Sequence, residues 1–301
     1  MRLLEREDEL ATLEDVLVKG GVLMVEGGAG IGKTSLLAAA AERAAGLGYE
    51  VLRARGSELE AGFAFGVVRQ LFERRLALAR ADERRALLAG PAAAAKPVVA
   101  GKPAVGTAQD TSFAVLHGLY WLAANFAAAR PLVIAVDDAH WVDHSSLRCL
   151  AYLAPRVEGL ALSLLVALRP SRPAEEPPPL AAIRAEATVV RPRLLSETAA
   201  TDLVRSSAGR QVSLELCATL WHASGGNPFY LTELLRGMES SGTPMENVRE
   251  GVTRHVAARI RPLDPEALRL AQAWQCSEMA ASCARLPPWP GWSSRPWIFG
   301  A

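Results

Sequence analysis

Residues 22–37 read VLMVEGGAGIGKTSLL, and this stretch decides the fold class. Four apolar residues at strand length are followed by a glycine-rich loop and then by an alanine- and leucine-rich run that ends near Gly46 and Gly48. Tyr49–Ala54 is the next strand candidate. A strand, a loop, a helix and a second strand in this order form a βαβ unit, which implies a parallel sheet covered by helices.

The glycine-rich loop, Gly27–Thr34, fits the phosphate-binding pattern G-x4-G-K-T. Glycines let successive backbone N–H groups curl around a β-phosphate, and the start of the following helix favours an anion. In such a loop Lys33 reaches the β- and γ-phosphates and the Thr34 hydroxyl ligates Mg²⁺. The alternative is a plain glycine turn, but a chain of this composition would match the four fixed positions by chance in only roughly 0.2% of cases. The predicted nucleotide-binding residues of the loop are Gly27, Gly28, Ala29, Gly30, Ile31, Gly32, Lys33, Thr34 and Ser35.

An acidic pair follows a second buried strand about 100 residues further on. Leu132–Val136 is continuously apolar, and Asp137 and Asp138 come directly after it. A phosphate-binding loop needs a carboxylate at the tip of a neighbouring strand to hold Mg²⁺, and we assign that role to Asp137. Asp138 is the candidate base that takes a proton from the attacking water, so that Asp138 and Lys33 are the predicted catalytic residues. The alternative is a polar strand end that caps the next helix.

Arg169 ends a further apolar strand, Leu164–Leu168. The carboxyl ends of parallel strands meet at one edge of the sheet, where ligands collect in doubly wound folds. Arg169 is therefore a candidate contact to the γ-phosphate. An arginine exposed at a strand end is the alternative.

Apolar periodicity predicts the other elements. A helix is expected over Glu7–Val18, because Leu10, Leu13 and Leu17 share one face and Lys19-Gly20-Gly21 stops it. The remaining expectations are a long loop at 90–110, a helix at 113–129, a buried strand at 160–168, a proline-rich connector at 170–179, an edge strand at 188–191 and helices from 196 onward. Apolar side chains expected in the core rather than on a base-stacking surface are Phe63, Phe65, Val67, Val68, Leu71 and Phe72.

Composition limits the function classes. The 301 residues carry a formal net charge of +1 and are 50% apolar, which predicts about two globular domains. Near-neutral charge argues against binding nucleic acid with the whole surface, although a local basic patch stays open. The first ten residues, MRLLEREDEL, lack the apolar core of a signal peptide, and no apolar run reaches the length of a spanning helix. A cytoplasmic chain with no membrane partner is expected.

His140 and His144 are four residues apart and would share a face if they lay on one helix, with Asp143 nearby. A metal site would need a third ligand at a recognisable spacing, which the sequence does not offer. A polar loop after the acidic strand is the simpler interpretation.

Eight motifs now stand in a specific order along the chain. They are LLEREDEL (3–10), VEGGAGIGKTSLL (25–37), ARGSELE (54–60), FGVVRQLF (65–72), SFAVLHGLYWLAANFA (112–127), VDDAHWVDHSSLRCLAYLAPR (136–156), VALRP (166–170) and SGGNPFYLTELLR (224–236). In this set the chain resembles the STAND class of signal-transduction ATPases. Within that class it is similar to the N-terminal ATPase region of the large LuxR-type, or MalT-like, transcriptional regulators.

The resemblance implies an α/β fold, in which a P-loop NTPase domain with a five-stranded, mainly parallel sheet flanked by helices is followed by a small helical lid. It implies that Asn227 and Pro228 of the lid contact the nucleotide and that Arg6 lies on the adenine side. It also implies a switch with ATP/ADP and Mg²⁺ as cofactors. ADP holds the lid against the sheet, and exchange for ATP, prompted by an unknown inducer or regulatory protein, opens the protein for self-association. Slow hydrolysis resets it.

The expected organisation is a P-loop ATPase domain at 1–191, a helical lid at 192–273 and an atypical tail at 274–301, disordered or read out of frame. The tail departs from the family and holds Trp274, Trp289, Trp292 and Trp297. We therefore expect a truncated or frameshifted regulator without its own sensor and helix-turn-helix parts, and no direct DNA binding by this chain. Two alternatives stay open: a stand-alone P-loop ATPase or kinase-like enzyme, and a nucleotide-locked scaffold that never hydrolyses.

Overall fold

The computed structural model describes residues 3–101, 108–171, 176–208 and 212–241. The chain divides into one unit, Met1–Leu235, and a second, Arg236–Ala301. All the features below lie in the first unit, apart from the last turns of the final helix. The expected tail at 274–301 and the end of the expected lid lie outside the described residues.

Five strands in the described ranges form one parallel sheet in the order β2-β3-β4-β1-β5. The strands are β1 (Gly21–Glu26), β2 (Glu50–Arg55), β3 (Leu132–Asp137), β4 (Leu162–Leu168) and β5 (Ala187–Val190). This order puts β1, which precedes the glycine loop, next to β4, and β3 with its terminal acids on the other side of β4. The carboxyl ends of all strands therefore meet at one edge of the sheet.

Helices flank the sheet and continue beyond it. They are α1 (Glu7–Lys19), α2 (Lys33–Gly46), α3 (Gly66–Leu78), α4 (Ala81–Leu87), α5 (Lys96–Val99), α6 (Ala108–Ala129), α7 (His144–Leu153), α8 (Pro178–Ala185), α9 (Glu197–Ala208), α10 (Leu214–Ser224) and α11 (Pro228–Ser241). The predicted α/β class, the five-stranded sheet with flanking helices and the helical C-terminal part are confirmed. The predicted boundary between 191 and 192 stays a prediction.

Both faces of the sheet are buried, in two separate apolar clusters. Along β1, Leu23 and Val25 pack with α1 and α2, whereas Val22 and Met24 pack with α3, α6 and α7. Side chains alternate between the faces of a strand, so a strand covered on both faces is apolar at every position. This is why β1, β3 and β4 appear in the sequence as nearly continuous apolar runs, whereas the edge strand β2 carries Glu50, Arg53 and Arg55.

Two sequence predictions were wrong. Residues 90–99 do not form a loop: Gly90–Ala95 is a 3₁₀ helix that packs on α6, and α5 follows it. Ala92 and Ala95 are completely buried, and segments this short and buried show no helical period. Phe63 was expected in the core, but it is 65% exposed. Residues 102–107 lie outside the described residues.

No helix in the described ranges has both the length and the apolar content needed to cross a bilayer.

Candidate nucleotide-binding site

The glycine loop connects β1 to α2 at the carboxyl edge of the sheet. Gly30 and Gly32 have φ values of +77° and +103°, a region that residues with a Cβ rarely adopt. Helix α2 then begins at Lys33, so its first backbone N–H groups point toward the loop. The loop thus presents a helix N-terminus and turned backbone amides, the arrangement that binds phosphate.

Lys33 is buried, with only 6% of its surface exposed. Its Nζ donates hydrogen bonds of 2.8 Å to the carbonyl oxygens of Gly27 and Gly28. Burial lowers the pKa of Lys33, and Arg169 lowers it further, while Asp137 and Asp138 act in the opposite direction. The ammonium group is therefore held inside the loop, among charges of both signs.

Thr34 and Asp137 are 103 residues apart in sequence and hydrogen-bonded in the structure. The Thr34 hydroxyl donates to Asp137 Oδ2 at 2.7 Å, and Asp137 Oδ1 accepts from the Asp138 amide at 2.9 Å. A hydroxyl and a carboxylate are hard oxygen ligands, which suit Mg²⁺. The residues present therefore fit the metal that the sequence predicts here.

Asp138 forms an ion pair that the sequence did not predict. It has a left-handed φ of +50°, and its Oδ2 accepts from Arg55 Nε at 2.9 Å and Nη2 at 2.7 Å. The hydrogen bond to Asp138 raises the pKa of Arg55. Gly56 lets the end of β2 come close to the backbone of Asp138, because a Cβ at position 56 would lie 2.4 Å from the Asp138 carbonyl oxygen.

Arg169 follows β4 directly and has an exposed side chain. Its charge acts on both Lys33 and His140. The structure therefore brings Lys33, Thr34, Asp137, Asp138 and Arg169 to one edge, as the sequence predicts. The roles of these residues stay predictions.

Arg6 connects the N-terminal segment to two other parts of the chain. It is 3% exposed, and its Nη2 donates to the carbonyl oxygens of Arg193 at 2.7 Å and Ile31 at 3.3 Å. Glu5 accepts hydrogen bonds from the Ser196 amide and hydroxyl, which lower the pKa of Glu5. A cavity of about 540 Å³ adjoins Arg6, on the β5 side of the loop.

Helix α11 begins directly on the glycine loop. Asn227 Nδ2 donates to the Ala29 carbonyl at 2.9 Å, and the Phe229 amide donates to the Gly30 carbonyl at 3.3 Å. A Cβ on Gly30 would lie 2.7 Å from both Asn227 Oδ1 and Phe229 Cβ, so the contact is tight. Pro228 is the first residue of α11 and lies between these two contacts.

A family model described as AAA ATPase domain matches residues 2–167, more than half of the chain. The chain belongs to the AAA ATPase domain family. A search of curated proteins found no match.

This AAA ATPase domain is also similar to solved structures. Cdc6p from Pyrobaculum aerophilum is 16% identical over 80% of this chain and 64% of its own, with a TM-score of 0.53. The ORC2 protein of Aeropyrum pernix, solved in ADPNP-ADP complexes, is 16% identical over 84% of this chain and 68% of its own, with a TM-score of 0.52. Both similarities concern the fold.

A Signal Transduction ATPase with Numerous Domains from Pyrococcus horikoshii, which has a tetratricopeptide repeat sensor, is 20% identical with a TM-score of 0.45. The match covers 84% of this chain and 32% of that protein, so the AAA ATPase domain described here spans about a third of its length.

Sequence reasoning missed three residues that lie beside the predicted nucleotide site: Arg55, Gly56 and His140. Arg55 and Gly56 stand at the end of β2, and only the sheet order, which pairs β2 with β3, brings them to Asp138. The position of Arg55 at the end of a strand could have indicated its place at this edge of the sheet, as the position of Arg169 after β4 did. For His140 the sequence suggested either a metal ligand or, more simply, part of a polar loop. It lies in the 3₁₀ turn Ala139–Trp141 and His144 starts α7, and the described residues contain no cluster of three or more potential His, Cys, Asp or Glu ligands.

Proposed function

We propose that this chain is an ATP-binding switch with slow ATP hydrolysis, the ATPase part of a LuxR-type transcriptional regulator. The observation that carries the proposal is the contact between α11 and the glycine loop through Asn227, Ala29, Phe229 and Gly30. A loop that holds phosphates and also supports the lid couples nucleotide state to lid position. The γ-phosphate would then bias a two-state arrangement of lid and sheet.

Each site residue has a proposed role. The loop amides and Lys33 hold the phosphates, Thr34 and Asp137 hold Mg²⁺, and Arg169 contacts the γ-phosphate. Bound Mg²⁺ would neutralise charge on the phosphate oxygens. Arg6 lies on the adenine side, and Asn227 and Pro228 contact the nucleotide from the lid.

Hydrolysis requires a base near the γ-phosphorus. Water attacks that phosphorus, the bond to the oxygen bridging the β- and γ-phosphates breaks, and Asp138 takes the proton that water loses. ADP and inorganic phosphate leave. We expect the reaction to be slow, because both hydrogen bonds from Arg55 go to Asp138 Oδ2 and make that oxygen less available as a proton acceptor.

Nucleotide binding is tested by purifying the chain, identifying any co-purified nucleotide by chromatography, and titrating ADP and ATP. Lys33→Ala is expected to weaken both affinities about ten- to hundredfold, because charge-assisted hydrogen bonds to phosphate are lost. Circular dichroism controls for its folding. Unchanged affinity in a folded Lys33→Ala protein would remove the phosphate-loop assignment.

Switching is tested by light scattering with ADP and with a non-hydrolysable ATP analogue. Co-purified ADP and a larger mass with the analogue are expected. A monomer without nucleotide that turns ATP over rapidly would instead favour a stand-alone P-loop enzyme. For the regulatory role, the source organism is given the Lys33→Ala allele, and transcripts are compared with the parent; an identical transcript profile would contradict a regulator.

A further inference from the structure

His140 lies in a tightly fixed turn beside the predicted phosphate site. The 3₁₀ turn Ala139–Trp141 follows β3, with the Trp141 amide donating to the Asp138 carbonyl at 2.9 Å. The turn packs against β4, and Gly56 closes it from the β2 side, since a Cβ there would lie 2.9 Å from the Trp141 carbonyl carbon. The backbone therefore fixes the point from which the His140 side chain extends.

Both ring nitrogens of His140 are buried and have no hydrogen-bond partner among the described residues. The ring packs beside Trp141, with a centroid distance of 5.3 Å. A neutral imidazole has one N–H donor and one acceptor nitrogen, and nearly all buried polar groups in native proteins are paired. A phenyl or aliphatic side chain would fill the same space without leaving polar atoms unpaired.

The charges that act on His140 are those of the predicted phosphate and magnesium site: Asp138, Arg169, Lys33 and Asp137. Burial lowers the pKa of His140, so the ring is neutral near pH 7. Its turn lies at the ends of β3 and β4, whereas the Arg6 contact with Arg193 lies beyond β5, on the other side of β1. The turn that carries the ring thus lies at the γ-phosphate end of the site rather than at the adenine end.

We infer that His140 is a ligand of the terminal phosphoryl group of ATP. Protein atoms cover both ring nitrogens in this structure, so the ring turns about its side-chain bonds when the triphosphate binds, and its N–H then donates a hydrogen bond to that group. This inference rests on the proposed nucleotide binding. ADP has no γ-phosphate, so the contact exists only with the triphosphate. His140 therefore shifts the balance between ADP and ATP toward ATP and fixes the γ-phosphate next to Asp138.

The test compares affinities for ADP and for an ATP analogue with a methylene between the β- and γ-phosphorus, both with Mg²⁺, by competition against fluorescent ADP. His140→Phe and His140→Leu remove the donor, and His140→Gln keeps an N–H donor. His144→Phe is the matched control, because His144 is exposed at the start of α7. Thermal unfolding without nucleotide reports whether each variant folds.

His140→Phe is expected to weaken binding of the analogue about tenfold, the factor for one hydrogen bond, and to leave ADP affinity unchanged. His140→Gln should recover part of this loss, and His144→Phe should change neither affinity. If Phe disturbs the turn, the smaller His140→Leu gives the same comparison. Equal effects on both nucleotides, or no effect, in the folded donor-less variants would overturn the inference while wild-type binding still supports the proposed function. A wild-type chain that binds neither nucleotide would overturn both.

Discussion

Arg55 donates two hydrogen bonds, at 2.9 and 2.7 Å, to the same carboxylate oxygen of Asp138. The two residues are 83 positions apart in sequence and stand at the ends of adjacent strands. Arg55 has a side chain that is 70% exposed, whereas that of Asp138 is 16% exposed. An ion pair with one exposed partner contributes little to folding, about 0–1 kcal/mol. We therefore expect the Arg55–Asp138 ion pair to affect mainly the reactivity of Asp138.

Asp138→Asn should bind ATP as the parent does and lose hydrolysis by about 10²–10⁴-fold, because the amide cannot take a proton. Steady-state phosphate release and nucleotide titration measure the two effects separately. Unchanged hydrolysis would remove Asp138 as the base.

Arg55→Met should raise the hydrolysis rate severalfold, because the Asp138 oxygen that Arg55 occupies becomes available. The unfolding free energy should change by less than about 1 kcal/mol. Arg53→Met is a control on the same strand, since Arg53 bonds to the Ala38 carbonyl instead. A slower Arg55→Met enzyme would mean that Arg55 positions Asp138 rather than restraining it.

Gly56→Ala should displace the turn that carries Asp138 and His140. The added Cβ would lie 2.4 Å from the Asp138 carbonyl oxygen, so backbone must move. Overpacking of this kind costs about 1–3 kcal/mol of stability, and denaturant unfolding measures it. Gly62→Ala is the matched control, because its Cβ would meet nothing within 4 Å. Equal stability of the two variants would show that the turn adapts without cost.

Asn227 both caps α11 and contacts the glycine loop. Its Oδ1 accepts from the Phe229 amide at 3.0 Å, while its Nδ2 donates to the Ala29 carbonyl at 2.9 Å. Asn227→Ser keeps a capping oxygen and loses the donor, whereas Asn227→Ala loses both. Both variants should release fluorescent ADP faster than the parent in stopped-flow experiments. Only Asn227→Ala should also lose about 1 kcal/mol of stability. If both variants released ADP at the parental rate, the contact of Asn227 with the glycine loop would not contribute to nucleotide retention.

Glu26 makes the free energy of unfolding depend on pH. This last residue of β1 is 8% exposed and accepts from Arg184 at 2.8 Å and Arg191 at 2.7 Å. Burial alone would raise the pKa of Glu26, but the two arginines outweigh it and hold the pKa below its ordinary 4.5. Because the folded pKa lies below the unfolded one, the stabilisation is complete above about pH 4.5 and is lost as the pH falls through the folded value.

Denaturant unfolding at a series of pH values tests the pH-dependent stabilisation by Glu26. Glu26→Gln should be less stable than the parent near pH 7, and the difference should shrink on acidification below pH 4.5. Glu158→Gln, at an exposed position, should follow the parent. A difference that is constant with pH would assign the effect to packing rather than to charge.

Local patterns predicted most of the architecture. Continuous apolar runs predicted β1, β3 and β4, because a strand buried on both faces is apolar at nearly every position, and glycines and prolines marked the ends of these strands. The loop predicted at 90–99 was wrong because that prediction also relied on a local pattern, the absence of a helical period. A 3₁₀ helix followed by a single helical turn is too short to show a period, and tertiary packing of Ala92 and Ala95 against α6 decides its conformation.

The sequence by itself determined the strand, glycine loop and helix that carry Lys33 and Thr34, because consecutive residues define these elements, and it predicted the phosphate-binding roles of the two side chains. It also indicated that Asp137 and Asp138 end a strand. Only the tertiary structure decided that β2 pairs with β3, and so that Arg55 and Gly56 meet Asp138. It likewise decided that α11 begins on the glycine loop and that the His140 nitrogens are buried. Strand order and the burial of single atoms depend on contacts between residues far apart in sequence, which no local pattern encodes.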